Sequence, residues 1–86
     1  MKFENLVGKT FLALVPMFNL KLFSKLKLHG VEAGGIWVEC DQYTQITAKA
    51  LQEAAIKTPI YFVPYHEIRF AMVGGELALS EEAFGV

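Results

Sequence analysis

Residues 58–73, TPIYFVPYHEIRFAMV, predict two short strands joined by a tight corner. β-Branched and aromatic residues fill positions 60–63, a composition that suits a pleated, half-buried surface. Pro64 has no backbone N–H to give to a sheet, so we expect the first strand to end there. A strand-like composition resumes at residues 68–73. Two short strands cannot bury themselves alone, so the rest of the chain must fold around them.

The composition predicts more apolar material than a small domain can hide. The 86 residues are 53% hydrophobic and only 20% charged, with a net charge of −1. A chain of this size has a marginal core, so the surplus apolar surface is expected in a subunit interface, a membrane or a partner. The near-neutral charge gives no overall basic signature for nucleic acid, so we predict no DNA partner. Any RNA binding would have to come from a local patch.

The single cysteine, Cys40, excludes a disulfide within one chain and fits a reducing compartment, so we expect a cytoplasmic protein. Residues 11–18, FLALVPMF, resemble the apolar part of a signal peptide. No small-residue cleavage site follows them, and the run is far shorter than the roughly 18 residues that cross a bilayer. We therefore expect this run to be part of the fold, with no membrane partner.

The first third of the chain predicts a helix and then a strand. The apolar spacing over residues 4–15 fits one helix face that Pro16 would end, and a strand over residues 10–15 is the competing interpretation. Leucines and lysines alternate over residues 18–29, which indicates a strand with one buried and one wet face. We expect this strand to bend at Phe23-Ser24.

The middle of the chain predicts a turn, a return strand and a helix. His29-Gly30 is the expected turn, and residues 32–40 are the return strand. Within it, Gly34-Gly35 marks a bend or, alternatively, a plain loop between two short strands. Strong helix formers then occupy residues 48–57, with Thr47 as the N-cap, and residues 43–47 fit either a third strand or the first helical turn.

Two short motifs resemble the Sm-like family, most closely its bacterial Hfq branch. One covers residues 29–43, with an Asn-Gly-type turn, a second glycine and an Asp-Gln-aromatic triplet; the other is the corner after residue 63. The residues in register with the family are Gly30, Gly35, Asp41, Gln42, Tyr43, His66 and Ile68. Tyr65 departs from the pattern, because it stands where Hfq has a lysine.

The resemblance implies a mainly β fold with helices, namely a five-stranded, strongly bent small barrel of the Sm-like, SH3 type. We expect one domain over residues 1–86: an N-terminal helix or segment to residue 17, a barrel over residues 18–73 and an acidic tail over residues 74–86. The helix of residues 47–57 would be an extra one, between strands 3 and 4.

The resemblance also implies a homo-oligomer. In this family the fourth strand of one copy pairs with the fifth strand of the next, into a hexameric or heptameric ring, and such pairing removes exposed sheet edges. The residues expected at this interface are Ile60, Tyr61, Phe62, Val63, Ile68, Phe70 and Met72.

Single-stranded RNA is the ligand that the resemblance implies, held weakly around the pore. Stacking of a base on an aromatic side chain contributes roughly 1–3 kcal/mol, and a ring repeats the contact. The residues expected to contact RNA are Gln42, Tyr43, Tyr65, His66, Lys25 and Lys27. The alternative is an interaction scaffold without nucleic acid, in which Tyr43 belongs to the core. We expect no catalysis, metal or cofactor, because the sequence has no nucleophile–base pair, phosphate-binding loop or zinc signature.

Overall fold

A computed structural model describes residues 3–73. The chain begins with a 3₁₀-helix, Phe3–Leu6. The elements that follow are strands β1 (Thr10–Leu14), β2 (Ser24–Glu32) and β3 (Gly35–Glu39), helices α1 (Asp41–Ile46) and α2 (Ala48–Glu53), strand β4 (Tyr61–Pro64), a second 3₁₀-helix (Tyr65–Glu67) and strand β5 (Phe70–Met72). The fold is therefore mainly β with a few short helices, as the sequence predicts.

The five strands form one antiparallel sheet in the order β4-β3-β2-β1-β5. Within residues 3–73, β4 pairs only with β3, and β5 pairs only with β1. The sheet is therefore open, whereas the sequence predicts a barrel. The tight corner itself is confirmed, because the 3₁₀-helix Tyr65–Glu67 joins β4 to β5.

The sheet has to curve, because its two outermost strands are consecutive in the chain. Four inter-strand spacings of about 4.8 Å would separate β4 from β5 by about 19 Å in a flat sheet. Only residues 65–69 connect them, and part of this link is a 3₁₀-helix, which rises only about 2 Å per residue. Val63 of β4 and Phe11 of β1 accordingly belong to one core cluster.

One face of the sheet carries the core, and we call the opposite face the outer face. Buried and less buried residues alternate from Ser24 to Leu28, as expected for a strand with one face on the core. Full burial contributes roughly 1.5–3 kcal/mol for a side chain such as leucine or phenylalanine. The core residues are Leu6, Phe11, Ala13, Val15, Phe18, Leu26, Leu28, Ile36, Val38, Cys40 and Val63.

The predicted helix over residues 4–15 is wrong, and the competing strand is confirmed as β1. This strand pairs with β2 on one side and with β5 on the other. Phe11, Ala13 and Val15 are fully buried. Burial of every second residue is the period of a strand, and the sheet partners on both sides of this segment favour it over a helix.

The predicted strand over residues 18–29 is right only in its second half, because β2 begins at Ser24. Val15 ends the buried part of the first strand, and its carbonyl oxygen accepts the backbone N–H groups of Phe18 and Asn19. The chain therefore turns where a continuous strand was expected. Phe18 packs into the core, whereas Leu20 and Leu22 are exposed.

The predicted turn and the predicted bend exchange places. Gly30 lies inside β2, at a register irregularity between Leu28 and Gly30, whereas the hairpin turn falls at Ala33-Gly34. The plain loop, the alternative for Gly34-Gly35, is thus correct for Gly34, whereas Gly35 is the first residue of β3. A Cβ at Gly35 would lie 2.3 Å from the carbonyl oxygen of Val63, so this glycine is needed where β4 lies against β3. In the Sm-like resemblance, the strand that follows this turn is the second of the fold. In the structure it is β3, the third strand.

The extra helical segment lies between β3 and β4, as predicted, but it differs in detail. Residues 43–47 continue α1 as a helical turn, and α2 ends at Glu53, before Lys57. Thr47 does not cap α2 with its side chain, because its hydroxyl donates to the carbonyl oxygen of Tyr43. The predicted acidic tail, residues 74–86, lies outside the described residues.

Candidate functional site

The candidate site consists of the two open margins of the sheet. On the side away from β3, the backbone of β4 has no strand partner within residues 3–73, and the same holds for β5 on the side away from β1. Such margins present rows of hydrogen-bonding groups that another strand can pair with. Both margins are short, with four residues in β4 and three in β5.

The outer face is aromatic beside the β4 margin. Phe62 pairs with Trp37 of β3, and their ring centroids are 5.1 Å apart, a favourable distance for aromatic rings. Their neighbours Val63 and Ile36 are fully buried on the core face, so the two rings point outward. The indole N–H of Trp37 donates to the carboxylate of Glu32, which fixes the orientation of the indole.

The outer face is also apolar beside the β5 margin. Phe70 pairs with Leu14, and Met72 pairs with Leu12. Phe70 is 54% exposed and Met72 is 37% exposed. The ring of Phe23 lies against that of Phe70, with centroids 5.9 Å apart.

The centre of the outer face is polar. Lys27 of β2 lies between Thr10 of β1 and Glu39 of β3. The imidazole Nε2 of His29 contacts the carboxylate of Glu39. The outer face thus has a charged centre between two apolar margins. A sheet whose edges meet only water usually carries charged residues at those edges instead.

The seven residues predicted for the interface fall into two groups. Val63 is fully buried, and Ile68 packs against the core, so their side chains support the fold. Tyr61 also points inward, and its hydroxyl lies 3.0 Å from that of Thr44. The residues that reach the surface beside a margin are Ile60, Phe62, Phe70 and Met72.

Four of the six residues predicted to bind RNA lie on or beside β2. The backbone N–H of Lys25 donates to Gln42 Oε1 at 3.2 Å, and Lys27 follows on the same strand. The ring of Tyr43 packs against Phe18 and Tyr61, at centroid distances of 5.0 and 5.3 Å. This ring is therefore engaged in intramolecular packing, as the scaffold alternative expects.

The other two residues predicted to bind RNA lie at the β4–β5 corner. The hydroxyl of Tyr65 donates to the carbonyl oxygen of Glu32 at 3.0 Å, and its ring stacks with that of Phe3. The side chain of His66 is exposed, and its nearest charged neighbour is Glu67, at 3.7 Å between Nε2 and Oε2.

Cys40 is the buried nucleophilic group of the described chain. Burial raises the pKa of its thiol above the ordinary value of 9.0, although backbone hydrogen bonds at Tyr43 and Gln42 act in the opposite direction. Since the thiolate is the reactive form, this environment makes the thiol inert at neutral pH.

Two other features, a metal-binding cluster and a membrane-spanning helix, are absent from residues 3–73. No cluster of three or more histidine, cysteine, aspartate or glutamate side chains is arranged to hold a metal ion there. Likewise, none of the helices in this part of the chain has the length and apolar character to cross a bilayer.

Comparison with known protein families, curated proteins and solved structures finds no match for this chain.

Sequence reasoning missed two features of the surface. The pairing of Trp37 with Phe62 is one of them, because the register across β3 and β4 cannot be read from the chain. Sequence reasoning also placed Leu20 and Leu22 on a buried strand face. The signal that could have corrected this was Pro16 followed by Asn19, a pair typical of a turn.

Proposed function

We propose that the protein is a self-assembling scaffold, in which β4 of one copy pairs with β5 of the next and the copies close into a ring of the Sm-like type. The observation that carries this proposal is the position of apolar side chains at both margins of the outer face, next to backbone that has no strand partner within residues 3–73. Head-to-tail pairing satisfies both margins at once.

The joint, the pairing of β4 of one copy with β5 of the next, would bring apolar side chains together as well as backbone hydrogen-bonding groups. Side chains on one face of neighbouring strands contact each other, so Phe62 and Trp37 of one copy would meet Phe70 and Met72 of the next. Four exposed or half-exposed apolar side chains would then become covered, while the polar centre of each outer face would stay in water. A head-to-tail joint that closes gives a ring of six or seven copies, the numbers that the resemblance implies.

The Sm-like assignment within this proposal is supported by topology. A single 3₁₀ turn joins β4 to β5, which agrees with the short corner that the resemblance places after residue 63. The triplet Asp41-Gln42-Tyr43 begins a helix, which is a departure in the region that the family uses for RNA.

The test is the mass of the full chain in dilute buffer, measured by native mass spectrometry and light scattering. We expect a single assembly of six or seven copies. Phe70→Lys would place a charge in the joint and give monomers, whereas Ile56→Lys, which changes an exposed residue outside the sheet, would leave the assembly intact. Circular dichroism would check that both variants fold. A monomeric wild-type protein would overturn the proposal.

Weak binding of single-stranded RNA is the second candidate function, and the hydrogen bond between Lys25 and Gln42 favours it. This bond brings a lysine, an amide and the neighbouring Tyr43 to one place. If RNA binds there, oligo-U should bind in a salt-dependent manner, and Lys27→Gln should reduce the salt dependence by about one phosphate contact. Assembly without retention of oligo-U at low salt would leave the scaffold function alone.

A further inference from the structure

Two of the three most exposed large apolar side chains of the described chain lie in the connection between β1 and β2. Leu20 is 77% exposed and Leu22 is 66% exposed, and Met17 and Phe23 are exposed beside them. Ile46 of α1 is 72% exposed, and it lines, together with Leu22 and Phe23, a cavity of about 150 Å³. We call residues 17–23 the leucine loop.

The leucine loop is held in one shape by its own hydrogen bonds. Asn19 Oδ1 accepts the backbone N–H groups of Lys21, at 2.9 Å, and Leu22, at 3.1 Å. Phe18 anchors the loop in the core and packs on Tyr43. Leu20 and Leu22 are therefore presented by a fixed turn, and side chains that keep two thirds or more of their surface exposed protrude from the protein.

The leucine loop lies in a basic stretch of the sequence. Residues 5–31 contain four lysines and no aspartate or glutamate. Lys21 lies between the two exposed leucines, and Lys25 follows two residues after the loop. The nearest acidic residues come from the neighbouring strand and helix: Glu39 pairs across the sheet with Lys27 and contacts His29, and Asp41 begins α1.

Protruding leucines with a lysine between them fit the boundary of an anionic bilayer better than a protein surface. The apolar tips can enter the acyl region, where each buried CH₂ is favourable, and lysines near the surface are attracted by anionic headgroups. A protein partner would instead favour a concave patch with aromatic anchors, and one seated in the cavity beside Leu22 and Phe23 would leave Leu20 outside it, because Leu20 does not line that cavity. We propose that the leucine loop docks the protein on membranes that contain anionic lipids, by shallow insertion of Leu20 and Leu22.

This proposal departs from the sequence expectation of no membrane partner, which concerned residues 11–18, now placed in the buried strand β1 and the turn after it. It does not depend on the ring, although a ring would repeat the loop on every copy and strengthen binding through avidity. The two proposals therefore fail separately, and the oligomeric state is measured for every variant.

The experiment is co-sedimentation of the full chain with neutral phosphatidylcholine vesicles and with vesicles that also contain phosphatidylserine. We expect binding to the anionic vesicles that weakens with salt. Leu20→Ser combined with Leu22→Ser should reduce the affinity by about ten-fold or more. Lys21→Gln should reduce it by about five-fold, the effect of one basic residue near the surface. Ile56→Ser, an exposed residue outside the loop, is the matched control and should bind as the wild type does.

Three results would overturn the proposal. The first is no binding to either kind of vesicle at low salt. The second is an equal loss of binding in the Ile56→Ser control. The third is a wild type that does not bind vesicles together with a leucine-to-serine variant that has a different oligomeric state. The loop would then be a contact between copies.

Discussion

Residues 18–23 and 24–29 carry the same alternation of apolar and polar residues, yet they end in opposite environments. Leu26 and Leu28 are 0% and 1% exposed, whereas Leu20 and Leu22 are among the most exposed side chains of the described chain. The difference lies in the neighbours. β2 has β1 on one side and β3 on the other, whereas no strand within residues 3–73 pairs with residues 18–23. The alternation of apolar and polar residues indicates which face of a strand would be buried. The segment becomes a strand only when neighbouring strands pair with it.

The largest expected effect comes from truncating one leucine in each segment. Leu26→Ala should lower the free energy of unfolding by about 2–5 kcal/mol, because it leaves a cavity in a packed core. Leu22→Ala should change it by less than about 0.5 kcal/mol. Urea unfolding followed by circular dichroism measures both. Similar losses in the two variants would mean that the leucine loop is packed in solution.

A second test asks how much the buried segment depends on its distant neighbours. Gly35→Ala would force the new methyl group against the Val63 carbonyl of β4, 2.3 Å from an ideal Cβ. We expect a loss of about 1–3 kcal/mol in the free energy of unfolding. Gly34→Ala is the matched control, because its Cβ would make an ordinary 4.0 Å contact with Phe62. Equal stability of the two variants would show that β4 does not lie this close to β3.

A smaller effect is expected from the turn that holds the exposed segment. Asn19→Ala removes the acceptor for two backbone N–H groups, and we expect a loss of about 1 kcal/mol in the free energy of unfolding. Faster amide hydrogen exchange at Lys21 and Leu22 should accompany it. Asn5→Ala, in the first 3₁₀-helix, is the control. Unchanged exchange at Lys21 would contradict a fixed loop.

The smallest effect concerns Cys40, which lines the cavity beside the leucine loop. Because burial raises the pKa of its thiol, the unfolded chain loses this proton first as the pH rises. Stability should therefore fall slightly as the pH passes the ordinary thiol value of 9.0, and Cys40→Ala should remove this dependence. Alkylation at pH 8 should be much slower in the native protein than in urea. Equal rates would place the thiol at the surface.

The β4–β5 corner could be predicted because its information is local. Pro64 ends a strand whatever lies around it, and a run of β-branched and aromatic residues favours extended backbone in many contexts. The helical stretch after Thr47 was likewise predictable from composition. The margins of the candidate site could be predicted only as strands, because the pairing of Phe62 with Trp37 depends on register between segments far apart in the chain.

The glycines show the same limit at single residues. The sequence marks Gly30 and Gly35 as special positions, but Gly30 lies at a register irregularity instead of a turn, and Gly35 permits the close approach of β4. A glycine that permits a turn and a glycine that permits close approach of another strand look the same in the sequence. The 2.3 Å separation between a Cβ at Gly35 and the Val63 carbonyl exists only once β4 has folded against β3.

The sequence by itself determined that the chain is mainly β, that Pro64 closes one strand, that a helical segment interrupts the sheet, and that the chain has more apolar residues than a small core needs. Only the tertiary structure decided which leucines are covered, which glycines admit a neighbouring strand, and where the surplus apolar side chains lie. The physical reason is that burial and strand pairing are contacts between distant segments, whereas backbone preference belongs to each residue and its immediate neighbours.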